Sequence, residues 1–410
     1  MLAAKRLHDL GAFGAALWRY FPECAAFQAG GGGQEPRNGG MAKKRVGILF
    51  GGKSVEHEVS LQSARNVYEA VDRAKFDVVL IGIDKAGQWH VCDAALLGAA
   101  TSPSAELAAG TAGEALALVP GETEHAFVGT GSHRGLPPLD VVFPVLHGTY
   151  GEDGTVQGLL KLANVPFVGA GVLGSAVGMD KDVAKRLLRD AGIPVARSVT
   201  LTERTAAVAT FEGLAAEFGA PFFVKPANSG SSVGVSKVRD AAGWAAARTG
   251  ALRYDRKLLV EEFIQGREIE VAVLGNDDPQ ASVPGEIVPQ HDFYSYEAKY
   301  LDENGARLRI PAELPPAISE RVRQLAVAAF QVLECAGMAR VDFFVCADGR
   351  AYVSEINTIP GFTKISMYPK LWEASGVPYP RLIERLLDLA IERHQREQRI
   401  ETSYRPGPED

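Results

Sequence analysis

At 410 residues the chain is too long for one ordinary hydrophobic core, which points to two or three domains. Its 46% hydrophobic and 23% charged residues fit a globular protein, and a net charge of −7 gives no reason to expect a nucleic-acid or anionic-membrane partner. Cys24, Cys92, Cys335 and Cys346 show no CxxC or metal-ligand spacing, and no apolar run is long enough to span a bilayer.

Residues 1–42 differ from the rest. They carry Lys5, Arg6 and Arg19, a mildly apolar stretch and a glycine run, without the clean apolar centre and cleavage site of a signal peptide. They read as a disordered extension or the product of an upstream start codon, with Met41 as the functional start. The run Val46–Phe50 predicts a short buried strand ending at Gly51-Gly52. Leu61–Val71 has helical spacing and Asp77–Ile83 reads as a second strand, an order that argues for a parallel sheet. Residues 94–138, rich in Ala, Gly, Ser and Pro, read as a variable insertion. A strand over Asp140–Leu146 and a helix over Thr155–Ala163 follow.

A helix over 181–191 is expected to stop at Gly192, with Pro194 two residues beyond. Strands over Phe222–Lys225, Leu258–Phe263 and Glu268–Leu274 suggest a compact α+β unit. The polar segment Pro289–Pro311 is too long for an ordinary connector and reads as a lid. Helices over Pro316–Ala336 and Tyr379–Arg393 flank the last predicted hairpin, and a frayed tail closes the chain. No internal repeat is evident.

That hairpin, Arg340–Gly361, is the most informative stretch. Two apolar runs flank Asp348-Gly349, a strong turn signal. A two-residue turn would pair Ala347 with Arg350, setting Asp342 opposite Glu355 and Arg340 opposite Asn357, all four on one face. Facing carboxylates repel, and a bound divalent cation removes that conflict. Asp, Glu and Asn are hard oxygen ligands suited to Mg²⁺ shared with nucleotide phosphates. Arg340 is placed to stabilise a developing anion. A solvated hairpin face with scattered charges is the plain alternative.

Lys225 ends a strand and opens the Gly/Ser loop 226–234, whose backbone N–H groups suit phosphate oxygens. A simple turn fits that loop equally well, and Lys181 would be the second cation of a nucleotide site. The strand edge Val260–Ile264 and the following Glu268 offer backbone groups to a base and a carboxylate to ribose hydroxyls. Taken alone, those residues fit an exposed acidic pair better. The loop Gly51–Ser60 lies at the carboxyl end of a strand, where open α/β sheets bind ligands, but it lacks the GxGxxG of a dinucleotide site. Glu56 suits an amino-acid ammonium, and helix capping by His57 or Glu58 is an equal alternative.

Together these motifs make the chain from Lys43 to Arg393 resemble the D-alanine–D-alanine ligases of the ATP-grasp superfamily. The run from His147 to Gly158 (HGTYGEDGTVQG) is similar to one family signature, and Arg340–Gly361 to the other. Glu56–Leu61, Lys225–Gly234 and Glu297–Tyr300 fall in the family's order. The resemblance implies an α/β and α+β chain, a three-domain ATP-grasp fold with an N-terminal parallel-sheet domain. The expected divisions are 43–168, a central subdomain over 169–273, a C-terminal domain over 274–396 and a tail over 397–410. ATP and two Mg²⁺ (or Mn²⁺) are the implied cofactors. Two D-alanine molecules are the implied substrates, joined through an acyl phosphate for peptidoglycan precursors.

By the same resemblance, Lys181, Lys225 and Lys299 contact the phosphates. Glu261, the backbone of Glu262, Phe263 and Ile264, and Glu268 hold adenosine, while Asp342, Glu355 and Asn357 ligate the metals. Glu56, Ser231 and Tyr300 orient the first D-alanine, supported by His147 and Glu152. Arg340 and the backbone at Gly361 stabilise the tetrahedral oxyanion, and Ser366 anchors the second carboxylate. The lid excludes water from the intermediate. The resemblance also implies a cytoplasmic homodimer with no nucleic-acid or membrane partner. D-alanine–D-lactate or D-alanine–D-serine ligation is the alternative on the same fold, with Tyr300 favouring D-alanine. A non-catalytic ATP-binding sensor is the other alternative, and the presence of Arg340, the metal ligands, Lys299 and Ser231 argues against it.

Overall fold

The computed structural model describes residues 43–98, 113–121, 125–289, 306–401 and 403. The first region holds β1 (Lys44–Gly51), α1 (His57–Ala70), β2 (Phe76–Ile83), β3 (Trp89–Cys92), α2 (Ala94–Gly98), β4 (Ala115–Leu118), β5 (Phe127–Gly129) and β6 (Val141–Val145). They form one sheet in the order β5-β4-β3-β2-β1-β6. β1 lies parallel to both β2 and β6, as expected. Val46, Ile48, Leu49 and Phe50 are wholly buried because a central parallel strand is covered on both faces.

The stretch read as an insertion contributes α2 and two strands, β4 and β5, and these strands continue the sheet antiparallel beyond β3. β3, β4 and β5 span three or four residues each, too few for period-two alternation to stand out in sequence.

Next come α3 (Thr155–Leu162), α4 (Val172–Met179) and α5 (Lys181–Asp190). Sequence reasoning missed α4 because its two glycines weaken the helical signal. Gly174 is needed there, since a Cβ would sit 2.2 Å from the Glu334 carbonyl oxygen. Asp180 caps α5 by accepting from the N–H groups of Asp182 and Val183 at 3.1 Å each.

A second sheet, β7 (Ser198–Thr202), β8 (Phe222–Pro226), β9 (Ser236–Val238) and β10 (Lys257–Glu262), has the order β7-β10-β8-β9 and is wholly antiparallel. Helices α6 (Glu203–Val208), α7 (Phe211–Phe218) and α8 (Ala241–Ala251) accompany it. Leu214, Phe218, Phe222, Val224 and Trp244 close a separate core here. Lys225 and Glu261 project from the opposite face.

The third sheet comprises β11 (Arg267–Gly275), β12 (Gln280–Ala281), β13 (Gly285–Pro289), β14 (Ala306–Arg309), β15 (Gly337–Val345) and β16 (Ala351–Asn357). Its order is β14-β13-β11-β15-β16, with β12 paired to β11. β11 therefore lies in the middle of this sheet, not in the central unit that had been expected to run to residue 273. Local pattern identified the strand but not its partner. The expected lid is strand at both ends, in the last residue of β13 and in β14, while residues 290–305 lie outside the described residues.

The sheet is joined by α9 (Pro316–Val332), α10 (Met367–Ala374) and α11 (Tyr379–Glu397). α9 stops before the expected Ala336 because Glu334 and Gly337 turn left-handed. One core runs from Val46, Phe50 and Phe143 of the first sheet to Tyr368, Leu382 and Leu386 of α10 and α11. The first and third sheets thus share a foundation that the second lacks.

The hairpin reaches the expected pairing by an unexpected route. Cys346 N–H donates to Arg350 O at 2.8 Å and Gly349 N–H to Cys346 O at 3.0 Å, so three residues form the loop and Ala347 does not pair with Arg350. Gly349, at φ +85°, takes a conformation that costs glycine little. The pairing is displaced by one residue, with Phe343 opposite Val353. A bulge at Ser354 then restores the register, so Asp342 does face Glu355 and Arg340 does face Asn357. The bulge also lets both Ser354 and Glu355 line the adjoining cavity.

Candidate active site

Two adjoining cavities, of about 340 and 170 Å³, share Glu270, Ile287 and Glu355 in their walls. The larger lies between the second and third sheets. Lys181 begins α5 and reaches across it, donating to Ser229 O at 2.7 Å and standing 3.3 Å from Glu355 Oε2. On β8 and β10, Lys225 pairs with Leu259 and Glu261 with Phe223, which places Lys225 and Glu261 diagonally on one face.

The Glu261 carboxylate is buried and takes two lysines, Lys185 Nζ at 3.0 Å and Lys225 Nζ on its other oxygen. Burial would raise this carboxyl, but the two lysine charges outweigh it and hold it below its ordinary range. Its side chain is thus engaged by the two lysines at the wall of the larger cavity, where an adenosine contact was expected of it. The Glu262 side chain also turns aside, taking Arg197 N–H at 2.8 Å and Arg197 Nε at 2.7 Å, which leaves its backbone at the cavity. Phe263 and Ile264 line the same edge with Glu268, and Lys237 Nζ lies 4.2 Å from the Phe263 ring centroid.

The hairpin face closes the other side. Arg340 forks onto Asp342 with Nε–Oδ1 and Nη2–Oδ2 distances of 2.7 Å each, and its Nε lies 3.0 Å from Glu270 Oε2. Burial opposes the charge on Arg340, but Asp342 and Glu270 outweigh it and hold the guanidinium well above its ordinary pKa. Asn357 Nδ2 donates to Asp342 Oδ2 at 3.0 Å. Among the described residues no three His, Cys, Asp or Glu side chains converge as a metal cage. Two carboxylates and an amide, all oxygen donors, do fit an ion that completes its shell with phosphate oxygens and water, as Mg²⁺ does.

The smaller cavity gathers Glu56, His147, Glu152, Ser231, Arg340, Asn357, Gly361 and Ser366. Ser231 and Ser232 both take positive φ, +51° and +59°, and the Ser231 hydroxyl donates to Glu56. Two consecutive left-handed serines are a strained arrangement. Glu56 is buried at the N-cap position of α1, but its side chain makes no capping bond. Of the alternative caps, Glu58 is exposed and pairs with Lys85, while His57 Nδ1 meets Gly52 O at 2.7 Å. The Ser366 hydroxyl accepts from Thr363 N–H at 2.9 Å, and a Cβ on Gly361 would crowd it at 2.7 Å.

Behind this cavity the Ile359 peptide is gripped from both sides. Its carbonyl lies 3.0 Å from His147 Nδ1, which must carry the proton, and its N–H donates to Glu152 Oε1 at 3.0 Å. Gly148 N–H donates to the other Glu152 oxygen at 2.7 Å. Burial pushes His147 down, against the pull of Glu56, so the ring is held neutral. Burial and the neighbouring Glu56 push the Glu152 carboxyl up to about 8 despite the two N–H donors.

Folded Glu152 therefore holds its proton where the unfolded chain, near 4.5, has lost it, and its linkage lowers stability as pH rises from 4.5 to about 8. Glu152→Gln should be less stable at pH 5.5 by about 1–3 kcal/mol, because one N–H loses its acceptor. That gap should narrow by pH 8, since only the wild type carries this linkage of at most about 1.4 kcal/mol per pH unit. Urea midpoints at the two pH values measure it.

Of the expected site residues, Lys181, Lys225, Glu261, Glu262, Phe263, Ile264, Glu268, Asp342 and Glu355 line the larger cavity, and Glu56, Ser231, Arg340, Asn357, Gly361 and Ser366 the smaller. Lys299 and Tyr300 lie outside the described residues. Lys185 and Glu270 were missed. Lys185 is one helical turn from Lys181, and Glu270 continues the acidic face begun by Glu268, so both positions carried a periodic signal.

A cavity with lysines on one wall, between an antiparallel sheet and a second sheet bearing oxygen ligands, is the ATP-grasp arrangement, here joined to an N-terminal sheet with a parallel centre. Residues 45–170 match the D-ala D-ala ligase N-terminus family and residues 187–388 the D-ala D-ala ligase C-terminus family. The chain belongs to the D-alanine–D-alanine ligase family. A D-alanine–D-alanine ligase of Shouchella clausii is 56% identical over 365 residues, covering 88% of this chain and 99% of the relative. D-alanine–D-alanine ligase A of Salmonella typhimurium is 54% identical over 363 residues, covering 88% and 100%. Among solved structures, the D-alanine–D-alanine ligase of Coxiella burnetii superposes with a TM-score of 0.78 at 42% identity, covering 87% of this chain and 96% of that one. The VanG D-Ala:D-Ser ligase of Enterococcus faecalis gives 0.76 at 35% identity, covering 85% and 99%.

Proposed function

We propose that this chain joins two D-alanine molecules to D-alanyl-D-alanine with ATP, supplying a peptidoglycan precursor. The observation that carries the reading is the shared wall: Glu270 and Glu355 line both cavities, with Asp342 on the larger side and Arg340 on the smaller, where a phosphate cavity adjoins an amino-acid-sized one. ATP fits the larger cavity, with its phosphates towards Lys181 and Lys225 and its adenosine along Glu262–Ile264 and Glu268. Asp342, Glu355 and Asn357 would hold two Mg²⁺ (or Mn²⁺). When bound, these ions offset the charge repulsion between carboxylate and triphosphate.

Glu56, steadied by Ser231, takes the ammonium of the first D-alanine, and that substrate's own carboxylate oxygen attacks the γ-phosphorus of ATP, forming an acyl phosphate as the bond to ADP breaks. The amine of the second D-alanine, its carboxylate held at Ser366, then attacks the acyl carbon. Arg340 and the Gly361 backbone face the oxyanion that forms. The C–O bond to phosphate breaks, the amine's proton leaves with the phosphate as hydrogen phosphate, and the dipeptide is left. His147 and Glu152 fix the Ile359 peptide two residues before Gly361. Lys299 and Tyr300 belong to the closing segment in this proposal.

Three lobes follow the three sheets, with the boundary between the second and third placed at 262–267 to respect the pairing of β11. A homodimer in the cytoplasm accords with family membership. No described helix is long and apolar enough to cross a membrane. D-Serine as second substrate is the other reading, favoured by the similarity to a D-Ala:D-Ser ligase. Incubation with ATP, Mg²⁺, D-alanine and an equal amount of D-serine or D-lactate, followed by mass spectrometry, decides it. D-Ala–D-Ala as the dominant product is expected, and a dominant mixed product would overturn the D-alanine assignment.

A further inference from the structure

Lys185 is a buried lysine to which the chemistry above gives no role. It lies one turn beyond Lys181 on α5, is 2% exposed, and does not line the larger cavity, so it touches no ligand there. Its Nζ is 3.0 Å from Glu261 Oε1, while Lys225 Nζ holds Oε2 of the same carboxylate. Two cations therefore share one buried anion, and the cluster carries an excess positive charge. Of the two lysines, only Lys225 reaches the cavity.

Burying a lysine costs several kcal/mol in desolvation, and an apolar side chain of similar volume is often at least as stabilising. Stability alone is thus a weak reason for Lys185. Without it, the Glu261 charge would belong to Lys225 alone and cancel the positive potential offered to the cavity. Burial holds the Lys185 ammonium below its ordinary range, with the Glu261 charge pulling against it.

We infer that Lys185 is a positioning residue that neutralises Glu261, leaving the Lys225 charge available to the phosphates of a bound nucleotide. This rests on the nucleotide reading of the cavity, and the test separates the two. ADP and adenosine are titrated into the full chain by calorimetry. In Lys185→Met, ADP should bind about tenfold more weakly while adenosine stays within about twofold, because only the phosphates sense the lost charge. In the double variant K185M/E261Q the carboxylate charge is gone as well, so the preference for ADP over adenosine should return. Should the methionine variant not fold, Lys185→Gln keeps a donor for Glu261 without the charge and carries the same expectation. Equal weakening of ADP and adenosine, unchanged ADP binding, or no recovery in the double variant would overturn the inference. A wild type that binds neither ligand would overturn the nucleotide reading beneath it.

Discussion

Arg340→Ala is expected to lower kcat by about 10²–10³-fold, the usual cost of losing a donor aimed at a developing oxyanion. It should also destabilise the fold. The guanidinium satisfies Asp342 through two contacts of 2.7 Å and Glu270 through one of 3.0 Å, and Glu270 pairs with Asp342 across β11 and β15. Alanine leaves these two carboxylates facing each other with their shared cation gone. Breaking a buried pair from one side costs about 3–5 kcal/mol. Steady-state kinetics and urea midpoints read the two effects separately. A variant that loses stability but keeps kcat within about threefold would show that Arg340 only holds the carboxylates apart.

Asp342→Asn should damage activity comparably yet move stability the other way. The ion-paired cluster at the hairpin face has three carboxylates, Glu270, Asp342 and Glu355, against two cations, Arg340 and Lys181. Removing one negative charge balances that count, so the Mg²⁺-free protein should be at least as stable as wild type. The Mg²⁺ concentration for half-maximal rate should rise about 10–100-fold, the range seen when a ligand environment is disturbed, and kcat/KM should fall with it. Thermal melting without Mg²⁺, set beside rates across a Mg²⁺ series, checks both parts. An unchanged Mg²⁺ requirement would remove Asp342 from the ligand set. The opposed stability effects of Arg340→Ala and Asp342→Asn also distinguish a charge-balanced metal face from an ordinary buried ion pair.

Much of this site was legible because its residues come in dense local motifs. The facing of Asp342 with Glu355 follows from period-two alternation and a turn. The inferred turn was nonetheless one residue too short, and the bulge at Ser354 cancelled the error. Here one bulged residue inside β16 absorbs the extra residue of the turn, so the facing pair survives a misjudged loop length.

Tertiary partnership was harder to read. β11 has a clear strand pattern, but nothing local says that it pairs with β15 and not with β10. α4 hides its helix behind glycines whose purpose, close approach of Gly174 to Glu334 and of Gly178 to Thr358, exists only in the folded chain. Glu261 looked like an exposed acid and is a buried counter-ion, because Lys185 and Lys225 arrive from elements far apart in sequence.

The most direct test of ligation through an acyl phosphate is to supply D-alanine labelled with oxygen-18 in its carboxylate, together with ATP and Mg²⁺. Both the dipeptide and the released phosphate are then weighed by mass spectrometry. Attack of the first carboxylate on the γ-phosphorus should pass one labelled oxygen to each phosphate released, with D-alanyl-D-alanine formed in equal amount. Unlabelled phosphate, or phosphate released without dipeptide, would contradict it.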